Sequence, residues 1–293
     1  MSPSCTLIDG KKIAQEIKDE ISLHVKRRKE AGKKLPHLAI ILAGDDIASQ
    51  TYVNNKIKAC KAVGFHYTMM RFADTISEKK LMEHIDHVND DPDVDGFIVQ
   101  LPLPPAISVE RITEKIRPDK DVDGFTNRNF GSIISPNPLL MPATPFGVME
   151  LLRRYKIDTT GKNCCVVGAS RLVGAPLSMM LAGQGKATVT ICHKYTRNLK
   201  SFTQQADLLM SAVGKPGLIT GDMVKEGAVV IDIGTTMTED KTKSNGFSIK
   251  GDVVFDEVSK KASYLTPVPG GVGPMTIASL LLNTLRAAEL RWP

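Results

Sequence analysis

The chain of 293 residues reads as an α/β protein built from two parallel-sheet units. Three patterns predict this. Short apolar runs alternate with longer amphipathic stretches in two separate rounds. A proline-rich segment divides the rounds. A glycine turn joins a buried strand to a helix at the start of the second round.

The elements follow in order. Asp9 is placed to cap a helix whose Ile13, Ile17, Ile21 and Val25 recur every four residues, and Gly32 ends it. His37–Ala43 (HLAIILA) is a continuous apolar run, as a strand buried on both faces requires. A helix from about Ser49 to Val63 and a strand over Phe65–Arg71 come next. Ser77 caps a helix with Leu81, Ile85 and Val88 on one side. Gly96–Leu101 (GFIVQL) is the third strand. Ser108 caps a helix that stops near Ile116, because Pro118 cannot continue it.

Residues 118–147 hold five prolines and read as loops at a boundary, after which Thr144-Pro145 opens a helix with Pro at its first position. The second round has a strand at Cys164–Val167, a helix from about Gly174, and strands at Ala187–Cys192, Leu208–Val213 and Ala228–Ile233. A last helix after Pro274 carries Ile277, Leu280, Leu281 and Leu285. The units span about 1–146 and 147–272, with the last helix free to return to the first.

Composition narrows the class. With 42% hydrophobic and 24% charged residues, the chain is neither disordered nor a disulfide-stapled miniprotein. No apolar run approaches the roughly 20 residues of a membrane span. Met1–Gly10 lacks the features of a secretory or transit peptide. The five cysteines are Cys5, Cys60, Cys164, Cys165 and Cys192, odd in number and without a CxxC pair. The histidines lack HExxH spacing. Reduced thiols, a cytoplasmic protein and no metal site are expected. The net charge of +6 suits an anionic partner, while 5% aromatic residues offer little surface for stacking bases.

Val166–Pro176 (VVGASRLVGAP) joins a strand to a helix. Gly168 permits the tight turn, Gly174 lets the helix start close to its sheet, and the helix start suits a pyrophosphate. The spacing G-x-S-x-x-x-G departs from G-x-G-x-x-G, so alone it fits any glycine turn of an α/β unit as well. The following strand ends in Cys192-His193-Lys194-Tyr195-Thr196-Arg197. No carboxylate stands there to repel a 2′-phosphate, and Lys194, Arg197 and Arg171 are available to attract one, which favours NADP over NAD.

Tyr52 and Lys56 (YVNNK) lie one helical turn apart and share a face, near the carboxyl end of the first sheet, where open α/β folds place ligands. A Lys there can move protons and a Tyr can stack on a flat ring. A chance pair on a surface helix has the same spacing. Gln100 interrupts an apolar strand and must find hydrogen-bond partners, either for structure or in a site. Lys120–Gly124 (KDVDG) is either a polar turn or the place where Asp123 accepts from the N–H edge of a heterocycle. Thr266–Thr276 (TPVPGGVGPMT) has three glycines and three prolines in eleven residues, more rigid and apolar than a linker, and reads as backbone held close to a ligand.

Together YVNNK, GFIVQLP, KDVDG, the Gly168–Pro176 turn and TPVPGGVGPMT resemble, in order and spacing, the bifunctional methylenetetrahydrofolate dehydrogenase/methenyltetrahydrofolate cyclohydrolase family, from about Leu7 to the last helix. The resemblance implies two α/β domains around a cleft. One is a folate-binding catalytic domain over 1–146, with helix 274–293 packing back on it. The other is a Rossmann-type NADP-binding domain over 147–273. It also implies a homodimer acting on tetrahydrofolate derivatives, with no nucleic acid or membrane partner. The implied reactions are oxidation of 5,10-methylenetetrahydrofolate to the 5,10-methenyl compound and hydrolysis of that to 10-formyltetrahydrofolate.

By the same resemblance Lys56 matches the catalytic lysine and Gln100 the partner that orients it. Tyr52 matches the residue stacked on the folate ring and Asp123 the carboxylate on the pterin edge. Val53, Val99 and Leu101 would flank the substrate. Pro269, Gly270, Gly271, Val272, Gly273, Pro274, Met275 and Thr276 would shape the wall near pterin and nicotinamide. The dinucleotide would meet Gly168, Ala169, Ser170, Arg171, Val173, Gly174, His193, Lys194, Arg197, Gly234 and Thr235. Three positions depart from the family pattern. Ala169 stands where many NADP-using relatives have Arg, Lys194 where many have Ser, and Thr235 where a larger aliphatic residue is usual. The 2′-phosphate grip is therefore either rebuilt, through Lys194 and Arg171, or weaker.

Short-chain dehydrogenases also use Tyr-x-x-x-Lys, but they place it after the nucleotide turn, and here it precedes it. Lys56 and Gln100 argue against a member that has lost the cyclohydrolase. A nucleic-acid module would need clustered cations with interleaved aromatics, and Lys26–Lys29 is the one such cluster of cations, without the aromatics.

Overall fold

The computed structural model describes residues 5–135, 137–240, 242 and 246–292. Met1–Ser4 of the polar N-terminal stretch lie outside the described residues. In chain order the elements begin with β1 (Thr6–Leu7), α1 (Gly10–Glu30), β2 (His37–Ala43), α2 (Ile47–Val63), β3 (His66–Phe72), α3 (Glu78–Asp90), β4 (Gly96–Val99), α4 (Val109–Lys115) and α5 (Asn127–Ser132). They continue with α6 (Ala143–Arg154), β5 (Asn163–Val167), α7 (Gly174–Gly183), β6 (Thr188–Cys192), α8 (Leu199–Thr203), β7 (Leu208–Ser211) and β8 (Val229–Asp232). The last are β9 (Thr236–Glu239), β10 (Phe247–Lys250), α9 (Phe255–Val258), β11 (Tyr264–Leu265) and α10 (Val272–Arg291). They form two compact units, Gln15–Ala143 with Ile277–Pro293, and Met1–Ala14 with Thr144–Thr276.

The first unit holds a parallel sheet in the order β3-β2-β4. Leu38–Ala43 are all buried, which explains the unbroken apolar run of β2. The chain moves from β2 to β3 on one side and returns to β4 on the other, so the topology reverses at the carboxyl end of β2. Helix starts follow the expected chemistry. Asp46 Oδ2 accepts from Ser49 N–H at 2.7 Å, Ser77 Oγ from Lys80 N–H at 3.3 Å, and Ser108 Oγ from Arg111 N–H at 3.3 Å. The part of α10 after Thr276 belongs to this unit. Its buried Asn283 donates to Val122 O at 2.8 Å and Met141 O at 2.7 Å.

The second unit holds a six-stranded parallel sheet, ordered β1-β11-β8-β7-β5-β6. Its strand order reverses at β5, with β6 on one side and β7 on the other. The antiparallel pair β9–β10 stands apart from that sheet.

Several expectations need correction. Residues 118–147 are not all loop. Thr126 Oγ1 caps α5 by accepting from Asn129 N–H at 3.3 Å. Helix α6 starts at Ala143 and α10 at Val272, so Pro145 and Pro274 sit third in their helices rather than at the start. Both remain within the first turn, whose N–H groups have no partner inside the helix. Helix α2 starts two residues before Ser49, at Ile47, and the second strand runs one residue later than expected. Strand β4 stops at Val99, so Gln100 follows the strand instead of interrupting it. The β1–β11 pairing and the β9–β10 pair were not foreseen.

Asn283→Leu leaves the Val122 and Met141 carbonyls without their buried donor. It should destabilise the protein by about 2 kcal/mol, seen as a lower urea midpoint at unchanged slope. An unchanged midpoint would mean that these bonds do not hold α10.

Candidate active site

At the carboxyl end of β4, Gln100 N–H donates to Ile41 O at 2.8 Å, the last rung against β2. Lys56, on α2 and only 8% exposed, donates from Nζ to Gln100 Oε1 at 3.0 Å. Gln100 Nε2 donates to Leu101 O at 2.6 Å, which fixes the side-chain amide so that its oxygen faces the lysine. Ser49, one turn from Tyr52 on α2, is buried and sends Oγ to Leu101 O at 3.5 Å. Tyr52, on the same helix, is 47% exposed. Val53 and Val99 are buried, and Leu101 is half-buried.

Asp123 is held by the loop that follows the bridge between Phe97 and Asp121. Fully buried Lys120 donates from Nζ to Val88 O at 2.9 Å and Asp91 O at 2.6 Å, at the end of α3. Burial, with Arg291 and Arg117 nearby, pulls its pKa down to about 8. Asp121 accepts from Phe125 N–H at 3.1 Å, Thr126 N–H at 2.8 Å and Asn129 Nδ2 at 2.9 Å. Two members of KDVDG thus lock the turn, and half-buried Asp123 is the carboxylate those bonds leave over. Desolvation raises its pKa, Lys56 opposes the rise and Asp121 adds to it. A carboxylate within the field of a lysine ammonium can bind an N–H edge and keep a nearby proton mobile.

In the second unit the glycine turn lies where the sheet reverses, at the carboxyl end of β5. Gly168 has φ +112°, and a Cβ there would lie 2.3 Å from Ala212 O. A Cβ on Gly174 would lie 1.8 Å from Gly168 O. Both glycines are therefore obligatory: a side chain at either would run into neighbouring backbone, and the tight turn they permit is the kind that sets a helix start close to a diphosphate. Ser170 Oγ accepts from Val173 N–H at 3.2 Å and Gly174 N–H at 3.4 Å, so a hydroxyl occupies two donors of the helix start. Arg171 is exposed beside them.

After β6, His193 N–H donates to Thr196 Oγ1 at 2.8 Å and Tyr195 N–H to His193 Nδ1 at 3.3 Å, which closes a tight turn. Lys194 Nζ lies 4.9 Å from the Tyr195 ring centroid, and His193, Lys194 and Arg197 are all exposed. Gly234 and exposed Thr235 follow β8. These residues fit a dinucleotide with a 2′-phosphate.

The glycine–proline segment is in the same unit. Gly270 has φ +115° and Gly271 N–H donates to Pro267 O at 2.8 Å. Lys11 N–H donates to Gly270 O at 3.1 Å, and a Cβ on Gly10 would lie 1.7 Å from Gly271 O. Thr276 Oγ1 meets Thr144 Oγ1 at 3.1 Å. Gly270, Gly271, Val272 and Met275 are buried, and Pro269 and Gly273 are the exposed positions of this segment. Among the described residues no group of His, Cys, Asp and Glu is placed to hold a metal ion.

Two buried carboxylates escaped the sequence reading. Asp232 ends β8 and accepts from Gly234 N–H, Asp252 N–H and Val253 N–H, each at 3.0 Å. Asp252 accepts from Ser211 Oγ, Val213 N–H and Lys215 N–H, each at 2.8 Å. A charged residue inside the run AVVIDI was the visible sign of the first; Asp252 had none.

A nucleotide cradle in one parallel-sheet unit and a lysine–glutamine–aspartate group in the other define a two-unit α/β enzyme of the dinucleotide-dependent kind. Comparison with known proteins then identifies the family. The model described as tetrahydrofolate dehydrogenase/cyclohydrolase, catalytic domain, matches residues 8–123, and the corresponding NAD(P)-binding domain matches residues 142–292. The bifunctional protein FolD of Cytophaga hutchinsonii is 52% identical over 288 residues, covering 97% of this chain and 99% of that protein. The bifunctional FolD structure from Campylobacter jejuni is 45% identical with a TM-score of 0.92, covering 98% of this chain and 100% of that one. The FolD structure from Trypanosoma brucei, complexed with NADP cofactor and inhibitor, is 37% identical with a TM-score of 0.94, covering 98% of each chain. The chain belongs to the tetrahydrofolate dehydrogenase/cyclohydrolase family and is a bifunctional enzyme with both activities.

Burial lifts the Asp232 carboxyl from 3.8 to about 6, with the Asp252 charge adding to the rise. Between about pH 4 and 6 the folded protein holds a proton that the unfolded chain has lost, so this group favours folding at low pH and its contribution disappears as pH rises through 6. Asp232→Asn should therefore gain stability relative to the parent across that interval, by about 2–3 kcal/mol. Urea midpoints of both proteins at several pH values check this, and a difference that stays constant with pH would contradict it.

Proposed function

We propose that the chain oxidises 5,10-methylenetetrahydrofolate to the methenyl compound with NADP and hydrolyses that compound to 10-formyltetrahydrofolate, through the residues below. NADP, when bound, supplies the hydride acceptor. The observation that carries the reading is the Lys56–Gln100 hydrogen bond of 3.0 Å, with Asp123 in the lysine's field.

Tyr52 stacks on the folate ring and Asp123 accepts from its N–H edge, which orients the reacting carbon. In the dehydrogenase step the chain's task is that orientation, because the folate nitrogen lone pair drives the oxidation. In the cyclohydrolase step water adds to the electrophilic carbon. Lys56 Nζ relays a proton, giving one to the ring nitrogen that leaves and, as the neutral amine, taking one from the added water, and Gln100 Oε1 accepts from Nζ and holds it in line. In the other unit the Gly168–Gly174 turn would hold the diphosphate at the helix start. Lys194, Arg197 and Arg171 take the 2′-phosphate. The buried Gly270 and Gly271 fix the segment's course, and exposed Pro269 and Gly273 are its positions open to bound ligand.

The protein is read as a cytoplasmic homodimer without nucleic acid partners. The charge of +6 matches two anionic small molecules, the five cysteines are free thiols, and no helix among the described residues is long and apolar enough to cross a membrane. Strand β6 forms an open edge with Ile191 exposed, a place where a second copy can add a strand.

Lys56→Ala should cut hydrolysis of the methenyl compound by about 10²–10⁴-fold, followed as loss of its absorbance. Retained hydrolysis would remove Lys56 from the proton path. Lys194→Ser should weaken NADP by about tenfold and leave NAD nearly unchanged. An equal effect on both would take Lys194 out of the phosphate site.

A further inference from the structure

The carboxyl edge of the six-stranded sheet carries two buried carboxylates for which, among the described residues, no ion-pair partner is found. Ser211 and Asp232 end adjacent strands and are register partners. Asp252 lies beyond them, fully buried, with its own N–H on Asp232 Oδ1. Together the two carboxylates accept six hydrogen bonds, five of them from backbone N–H groups. The donors Val213 and Lys215 lie in the loop after β7, and Gly234 in the loop after β8. The arrangement is close enough that a Cβ on Gly234 would lie 2.3 Å from Asp252 Oδ1, and one on Gly251 would lie 2.0 Å from Asp232 Oδ2.

One of these bonds reaches the nucleotide cradle. A trans peptide points its C=O opposite to its N–H. Asp252 Oδ2 holds the Val213 N–H at 2.8 Å, so the Ala212 carbonyl of the same peptide is aimed away from the carboxylate. That carbonyl is the group that would lie 2.3 Å from a Cβ on Gly168. Gly168 O in turn is the group against which Gly174 starts its helix. Backbone contact thus runs from Asp252 through the Ala212–Val213 peptide to the turn and on to the helix start. A displaced peptide would move the wall of the cradle without touching any ligand.

We infer that Asp252, supported by Asp232, is a positioning residue for dinucleotide binding, acting through the Ala212–Val213 peptide that braces the Gly168 turn. The inference rests on the proposal that this turn binds NADP. The two activities of the chain provide the control, because hydrolysis of the methenyl compound consumes no dinucleotide. Asp252→Asn keeps size and shape but puts an amide N–H₂ against one of the backbone donors. Ser211→Ala removes one donor to Asp252 and leaves the carboxylate in place.

The experiment is fluorescence titration of NADPH into the full-length parent and both variants, with the hydrolysis rate of the methenyl compound measured on the same samples without dinucleotide. Asp252→Asn should raise the NADPH dissociation constant about tenfold or more, and Ser211→Ala about threefold. Hydrolysis should change less than twofold in both. NADPH binding unchanged in both variants, with the parent binding normally, overturns the inference alone. So does a parallel loss of binding and hydrolysis in both variants, which marks a merely structural role. If Asp252→Asn does not fold, Ser211→Ala decides by itself. A parent that binds no NADPH overturns the proposed cofactor site, and the inference with it.

Discussion

Parallel pairing constrains both main sheets. Each strand must be followed by a crossover that brings the chain back to the starting edge, so within each unit all the loops that leave the strands emerge at one edge. In the first unit that edge receives Ala43, Gln100 and the start of α2. In the second it receives the Gly168 turn and the loops after β6, β7 and β8. Every residue argued to handle a ligand in the two sheets is at such an edge, and the reversal of strand order opens space there.

The cost of this arrangement is a set of backbone groups that leave the sheet with no ladder partner, and buried side chains meet them. Lys120 closes the end of α3, Asp121 gathers two N–H groups of its own turn, and Asn283 ties α10 to two carbonyls. Asp232 and Asp252 do the same for the loops after β7 and β8. The groups left over, Lys56, Gln100 and Asp123, are held with comparable accuracy because their neighbours are spent on structure. Gln100 is both: its backbone continues the ladder and its amide holds the lysine.

Much of this was legible from local pattern. The apolar run of β2, the serine caps at Ser77 and Ser108, and the glycine turn each depend on residues within a few positions, so the sequence displays them. The misses are non-local. Strands β1 and β11 are two residues long and lie more than 250 positions apart; β1 pairs with β11 alone, and β11 is held between it and β8. Strands β9 and β10 are four residues long and expose Met237, Phe247 and Ile249, so their apolar residues do not mark a core-facing side. Lys56 and Gln100 were singled out by residue type, and the carboxyl end of the sheet was where their elements could converge; that Gln100 orients Lys56 across 44 positions came from the family resemblance. Asp252 answers to backbone N–H groups 37 and 39 positions away, which no local signature can express.

The central claim is that one chain couples a dinucleotide cradle to a lysine-centred folate site. It is tested most directly by following absorbance after the purified protein is mixed with 5,10-methylenetetrahydrofolate and either NADP or NAD. Reduced dinucleotide should accumulate while the methenyl compound appears and then decays, and faster with NADP. No dinucleotide-dependent change, or accumulation of the methenyl compound without decay beyond its spontaneous rate, would contradict it.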